Sequence, residues 1–151
     1  LSELGRLALT TAAAEGYISR EAGAKLTALG TFDTSVIDGW ASGEKLELLT
    51  ENESEKEFVM EICHALFSRS ARCMCAALIG IMLLTDSGRE KDKPVCVCAE
   101  GSLIDKSRHF RPYLLKYLKN YGENMLGRYA VMHIGYETTL PGSAVAAMLN
   151  K

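Results

Sequence analysis

The sequence predicts an α/β chain that is rich in helix and poor in strand, and three observations carry that reading. Apolar residues recur at three- and four-residue steps through most of the chain as far as Leu84, the period of helices. Past Pro94 the pattern changes: Val95-Cys96-Val97-Cys98-Ala99 and residues 128–134 are short β-branched or apolar runs of strand type. A helical pattern separates the two runs and another follows them, so strand, helix, strand, helix implies parallel strands with a right-handed crossover.

Taken in order, residues 2–15 predict a first helix with Leu4, Leu7, Ala8 and Thr11 on one stripe and Gly16 at its end. Ser19 can cap a second helix that runs to Leu29 and stops at Gly30. A short third helix carries Val36, Ile37 and Trp40 from an N-cap at Asp33 or Thr34, and Ser42-Gly43 ends it. Residues 51–84 are helical nearly throughout, as one long helix or two in line. Phe58, Val59, Ile62, Cys63, Leu66 and Phe67 keep the helical period, and Cys73 to Leu84 is apolar all round. That last run spans about 18 Å of helix against a bilayer core of roughly 30 Å. Arg69, Arg72, Asp86 and Arg89 flank it, so a helix buried on most sides is expected rather than a membrane span. Residues 88–93 form a charged, solvated loop. After the first strand, Glu100-Gly101-Ser102 is a turn, and residues 107–121 turn Phe110, Leu114, Leu115 and Leu118 inward. The second strand ends at Gly135, residues 137–143 form a loop, and a last helix runs from Pro141 to Leu149.

Composition narrows the function. The 151 residues are 48% hydrophobic and 24% charged, with a net charge of -2, which excludes disorder and gives no electrostatic case for nucleic acid or an acidic membrane as partner. The five cysteines, Cys63, Cys73, Cys75, Cys96 and Cys98, are odd in number and sit in apolar surroundings, as expected of reduced, buried thiols in a cytoplasmic protein. Their spacing matches no zinc pattern, so no metal site is expected. His64 reads as a hydrogen-bonded core residue, His109 as packed or solvated, and His133 as touching the core on one side. No nucleophile–base pair and no paired carboxylates emerge, and no catalytic residue is assigned.

Two segments end at the carboxyl ends of strands, where ligands of α/β folds bind. After the second strand come the hydroxyls of Thr138 and Thr139, then Pro141 suited to a first helical turn, then the small Gly142, Ser143 and Ala144. The turn at Glu100-Gly101-Ser102 is a weaker case of the same arrangement. Neither is a P-loop, because no Gly-Lys-Ser/Thr follows.

The ordered set of segments resembles the C-terminal half of the eukaryote-type hexokinase family. Its carriers are Leu1-Ser2-Glu3-Leu4-Gly5-Arg6-Leu7, Leu29-Gly30-Thr31-Phe32-Asp33-Thr34-Ser35 and Ile62-Cys63-His64-Ala65-Leu66-Phe67-Ser68-Arg69-Ser70-Ala71, followed by Cys98-Ala99-Glu100-Gly101-Ser102-Leu103 and His109-Phe110. The resemblance implies an actin-like, ribonuclease H-like ATPase fold. It implies an ATP- and Mg²⁺-dependent kinase that phosphorylates the 6-hydroxyl of a hexose such as glucose, in glycolysis. Residues 1–151 would be the C-terminal portion of its large domain, an incomplete domain, as two strands with bare edges and a start at Leu1 rather than Met also suggest. The family's adenosine loop is similar to Thr139, Leu140, Pro141, Gly142 and Ser143, and its other nucleotide-contacting stretch to Thr34, Ser35 and Asp38. Asp38 stands where the family usually has Ser, Glu100 where it has Asp, and Leu140-Pro141 where it has Gly and Lys, which marks a divergent, bacterial-type branch. The phosphate loop, catalytic base, sugar site and most Mg²⁺ groups belong to the region upstream, so the segment alone is expected to be inactive. The alternative is a non-catalytic interaction or sugar-sensing module derived from the same fold.

Overall fold

The computed structural model describes residues 1–135 and 139–149. It is 67% helical, with one small parallel sheet. The helices are α1 (Ser2–Ala14), α2 (Arg20–Leu29), α3 (Thr34–Ala41), α4 (Glu53–Leu84), α5 (Ser102–Lys106), α6 (Phe110–Tyr117) and α7 (Thr139–Leu149), and the strands are β1 (Val95–Ala99) and β2 (Ala130–Ile134). A single 3₁₀ turn, Leu46–Leu48, precedes α4, and α6 continues into a π-helical segment, Leu118–Met125.

Helix α4 is the spine. Asn52 caps it by accepting from Ser54 N at 3.0 Å, and it runs unbroken for 32 residues, about 48 Å. Helices α1, α3 and α6 pack along it, burying Val59, Cys63, Phe67, Ala71 and Cys75 in one core with Leu9, Ile37, Phe110 and Leu114. The apolar end of α4, expected to be buried on most sides, is buried on one. Ile79 and Met82 face inward, whereas Met74, Ile81 and Leu83 are exposed and Leu84 is 89% exposed. The reason is coverage, since α6 and the π-helical segment lie against one side only. By length and composition α4 as a whole could cross a membrane, and 33% of its most apolar 18-residue window is buried.

The first helix shows a similar rotation. Its buried face is Gly5, Leu9 and Ala12, while the expected Leu4 and Leu7 point outward. Close approach marks the face: a Cβ at Gly5 would lie 2.5 Å from Ile37 Cδ1 and 3.4 Å from Leu66 Cδ1, so any larger residue there makes the Ile37 side chain shift.

Strands β1 and β2 pair in parallel, with Val95 opposite Ala130 and Ala99 opposite Ile134. Val97, Met132 and Ile134 turn toward the helices, and Cys96, Cys98, Val131 and His133 form the exposed face. The expectation of buried cysteines therefore holds for Cys63 and Cys75 and fails for Cys73, Cys96 and Cys98, which are exposed. The contact of His133 with core fails on the same ground, because it alternates with the inward residues. Leu115, expected inward, is also exposed.

Candidate functional site

Asp33 begins the site. Its carboxylate accepts from Ser35 N at 3.0 Å and so caps α3, while Thr34 Oγ1 lies 2.8 Å from Ser2 Oγ, tying the same turn to α1. One turn on, Asp38 is buried on the side of α3 that faces the loop between α5 and α6. Its Oδ1 accepts from Ser107 Oγ at 2.7 Å and from Arg108 N at 3.1 Å, and its Oδ2 from Arg108 Nε at 3.1 Å. Arg108 Nη1 reaches on to Glu44 Oε1 at 2.5 Å. Ser107 Oγ in turn accepts from Phe110 N at 3.0 Å and so satisfies an orphan donor at the start of α6. One buried carboxylate thus holds together α3, the α5–α6 corner and, through Arg108, the end of α3 near Glu44.

Electrostatics follow from those bonds. Burial pushes the Asp38 carboxyl up, but the hydrogen bonds from Ser107 and Arg108 outweigh it, and Asp38 is held below its ordinary range. The Arg108 hydrogen bond lowers Glu44, and the two carboxylates together raise Arg108. Beside them His109 Nε2 lies 2.9 Å from Ser42 Oγ, and its ring meets His64 edge-on with centroids 4.8 Å apart. Burial lowers His109; Asp38 pulls it up, and His64 and Arg108 push it down again. His64 Nδ1 lies 3.3 Å from Tyr113 Oη, as expected for a hydrogen-bonded core histidine.

Between the first turn of α3 and helix α5 lies an open polar cleft of about 440 Å³. It brings together Thr34, Ser35 and Asp38 from α3 with Ser102 and Lys106 from α5, two elements far apart in sequence. The turn that carries Glu100, Gly101 and Ser102 at the carboxyl end of β1 also borders a second cavity of about 540 Å³, lined mainly by apolar groups such as Met74, Leu78 and Met132.

Of the other predicted residues, Gly142 and Ser143 are exposed on α7 and do not line the cleft. Helix α7 begins at Thr139, so the stretch from 139 expected as loop is helix. Residues 136–138 and the side chains of Thr139, Leu140 and Pro141 lie outside the described residues. Among the described residues no group of three His, Cys, Asp or Glu side chains is placed to hold a metal ion.

The model of the family described as hexokinase matches residues 1–149. The chain belongs to the hexokinase family. No curated protein and no solved structure matches it. In this hexokinase-family chain, sequence reasoning named the α3 side of the cleft and missed Lys106, Ser107 and Arg108 on the other side. The same rule had marked Glu100-Gly101-Ser102 after β1 as the weaker ligand-facing turn, and following the chain one helical turn beyond it would have reached Lys106 to Arg108.

Proposed function

We propose that the chain is the C-terminal portion of the large domain of an ATP-dependent hexose kinase with an actin-like, ribonuclease H-like fold, and that the α3–α5 cleft is one wall of its nucleotide site. One observation carries the reading. In a hexokinase-family chain, Thr34, Ser35 and Asp38, which resemble a nucleotide-contacting stretch of that family, share a cleft with the turn at the carboxyl end of β1. Phosphoryl transfer rests on positioning and on neutralising charge around the transferred group. The cleft supplies hydroxyls and an ammonium for positioning but no free carboxylate to act as base, since Asp33 caps a helix and Asp38 is spent on Ser107 and Arg108.

The donors here do not fit a Mg²⁺ site, so in this reading the ion, the catalytic base and the hexose site belong to the upstream part of the protein. The exposed thiols of Cys73, Cys96 and Cys98 support a reducing, cytoplasmic location. Measuring hexose-dependent ADP formation tests the proposal: the full-length protein turns over and residues 1–151 alone do not. Turnover by the 151 residues overturns the one-wall assignment. A full-length protein that binds no ATP and phosphorylates no hexose replaces the kinase with an interaction or sugar-sensing module.

A further inference from the structure

Away from the α3–α5 cleft, three elements leave large apolar side chains in solvent around one hollow. Leu29 ends α2, Val36 lies on α3 and Leu48 closes the 3₁₀ turn, and all three are exposed. They ring a cavity of about 450 Å³ whose floor is made by the buried Trp40 and Leu49. Trp40 stands one helical turn beyond Val36, and its ring is held edge-on by Phe32 with centroids 5.3 Å apart. That volume, with an aromatic floor and aliphatic walls, suits a small ligand.

Among the described residues, the charged groups lining the cavity are Lys25 and Lys45, with no carboxylate beside them. Lys25 Nζ spends one donor on Glu21 at 3.1 Å and one on the Leu49 carbonyl at 3.3 Å, which leaves its third. No hydrogen bond or ion pair engages the Lys45 ammonium among the described residues. Lys45 also holds φ at +59°, a conformation that glycine takes without strain and a side chain with a Cβ does not. The turn itself therefore does not call for a lysine, and what the residue adds is its charge at the rim.

We propose that this hollow binds a free medium-chain fatty acid, with its alkyl chain over Trp40 and Leu49 and its carboxylate at Lys25 and Lys45. The chain would cover the apolar surface that Leu29, Val36 and Leu48 now leave to water, and the carboxylate would accept from the spare donors of two ammoniums. A neutral alcohol of the same length gains only the first of these. The site stands on other residues than the α3–α5 cleft, so it does not rest on the nucleotide reading.

The test is calorimetric titration of the full-length protein with decanoate, below its micelle-forming concentration, and with decanol. One decanoate per chain is expected, bound about fivefold tighter than decanol, and the double variant Lys25→Met, Lys45→Met should lose that advantage while binding decanol as wild type does. Leu48→Glu, at a side chain 69% exposed and so outside the core, should weaken both ligands about tenfold or more. Leu29→Glu repeats that arm from α2, so the outcome does not hang on the folding of one variant. No saturable binding of decanoate overturns the proposal, and so does binding that neither Leu48→Glu nor Leu29→Glu weakens, since the ligand would then sit elsewhere. Equal affinity for decanoate and decanol in wild type overturns the fatty-acid assignment. Sedimentation without ligand supplies the last arm: a dimer that Leu48→Glu dissociates would show a second copy covering the hollow, and would overturn the proposal.

Discussion

Replacing Asp38 by alanine should cost about 2 kcal/mol of folding stability, and the figure can be worked from its bonds. The side chain is 8% exposed and accepts from Ser107 Oγ, Arg108 N and Arg108 Nε. Removing it releases the Arg108 guanidinium, whose side chain is 49% exposed, so water and Glu44 receive it and that bond counts for little. The Ser107 hydroxyl and the Arg108 amide are half-sheltered donors and lose their acceptor, at about 1 kcal/mol each. Asp38→Asn keeps an Oδ1 acceptor for both and should cost about half as much. Urea denaturation at pH 7 measures both variants through their midpoints. The pH dependence has a definite sign. The folded pKa lies below the ordinary 3.8, so the carboxylate's contribution is present above that value and is lost as pH falls through the folded pKa. The gap between wild type and Asp38→Ala should therefore narrow in strong acid without closing, because the protonated carboxyl keeps one acceptor oxygen. A loss under 0.5 kcal/mol for Asp38→Ala, or equal losses for alanine and asparagine, would refute the reasoning, the second because charge rather than hydrogen-bond acceptance would then dominate.

Gly88, at φ +68°, ends the segment after α4, and a Cβ there would meet the Tyr129 carbonyl oxygen and Met82 Cε at 2.7 Å, so Gly88→Ala should lower the melting temperature by about 5 °C or more. Gly80→Ala in the body of α4, where the added methyl meets nothing within 4 Å, should raise it instead, and a fall in both would point to a general effect of substitution. His109 is lowered chiefly by burial, so folding disfavours its proton: its contribution is complete above the ordinary 6.5 and is lost as pH falls below that value. Urea midpoints at pH 7 and pH 5 should separate more for wild type than for His109→Gln, and parallel losses would sink the assignment.

What the sequence made legible was whatever depends on neighbours in the chain. The limits of β1 came out residue for residue, the cap at Ser19 and one of the two candidates for the next, Asp33, are where side-chain oxygens stand before helical patterns, and the parallel pairing follows from the intervening helix. Failures began where a distant element chose between locally equal options. Leu4 and Leu7 make as good an apolar stripe as Leu9 and Ala12, and it is the packing of α1 on Ile37 and Leu66, close to Gly5, that buries the second pair. Cys96 and Cys98 look like core by composition, yet burial on a strand face requires something packed on that face. The cleft obeys the same logic. The resemblance placed Asp38 in a nucleotide-contacting stretch but could not show its partners Ser107 and Arg108, which lie 69 and 70 residues away, beyond the reach of any periodicity. Once those bonds are counted, the acid becomes the strut that fixes α5 beside α3, and the groups it leaves unspent become the ones able to meet a ligand.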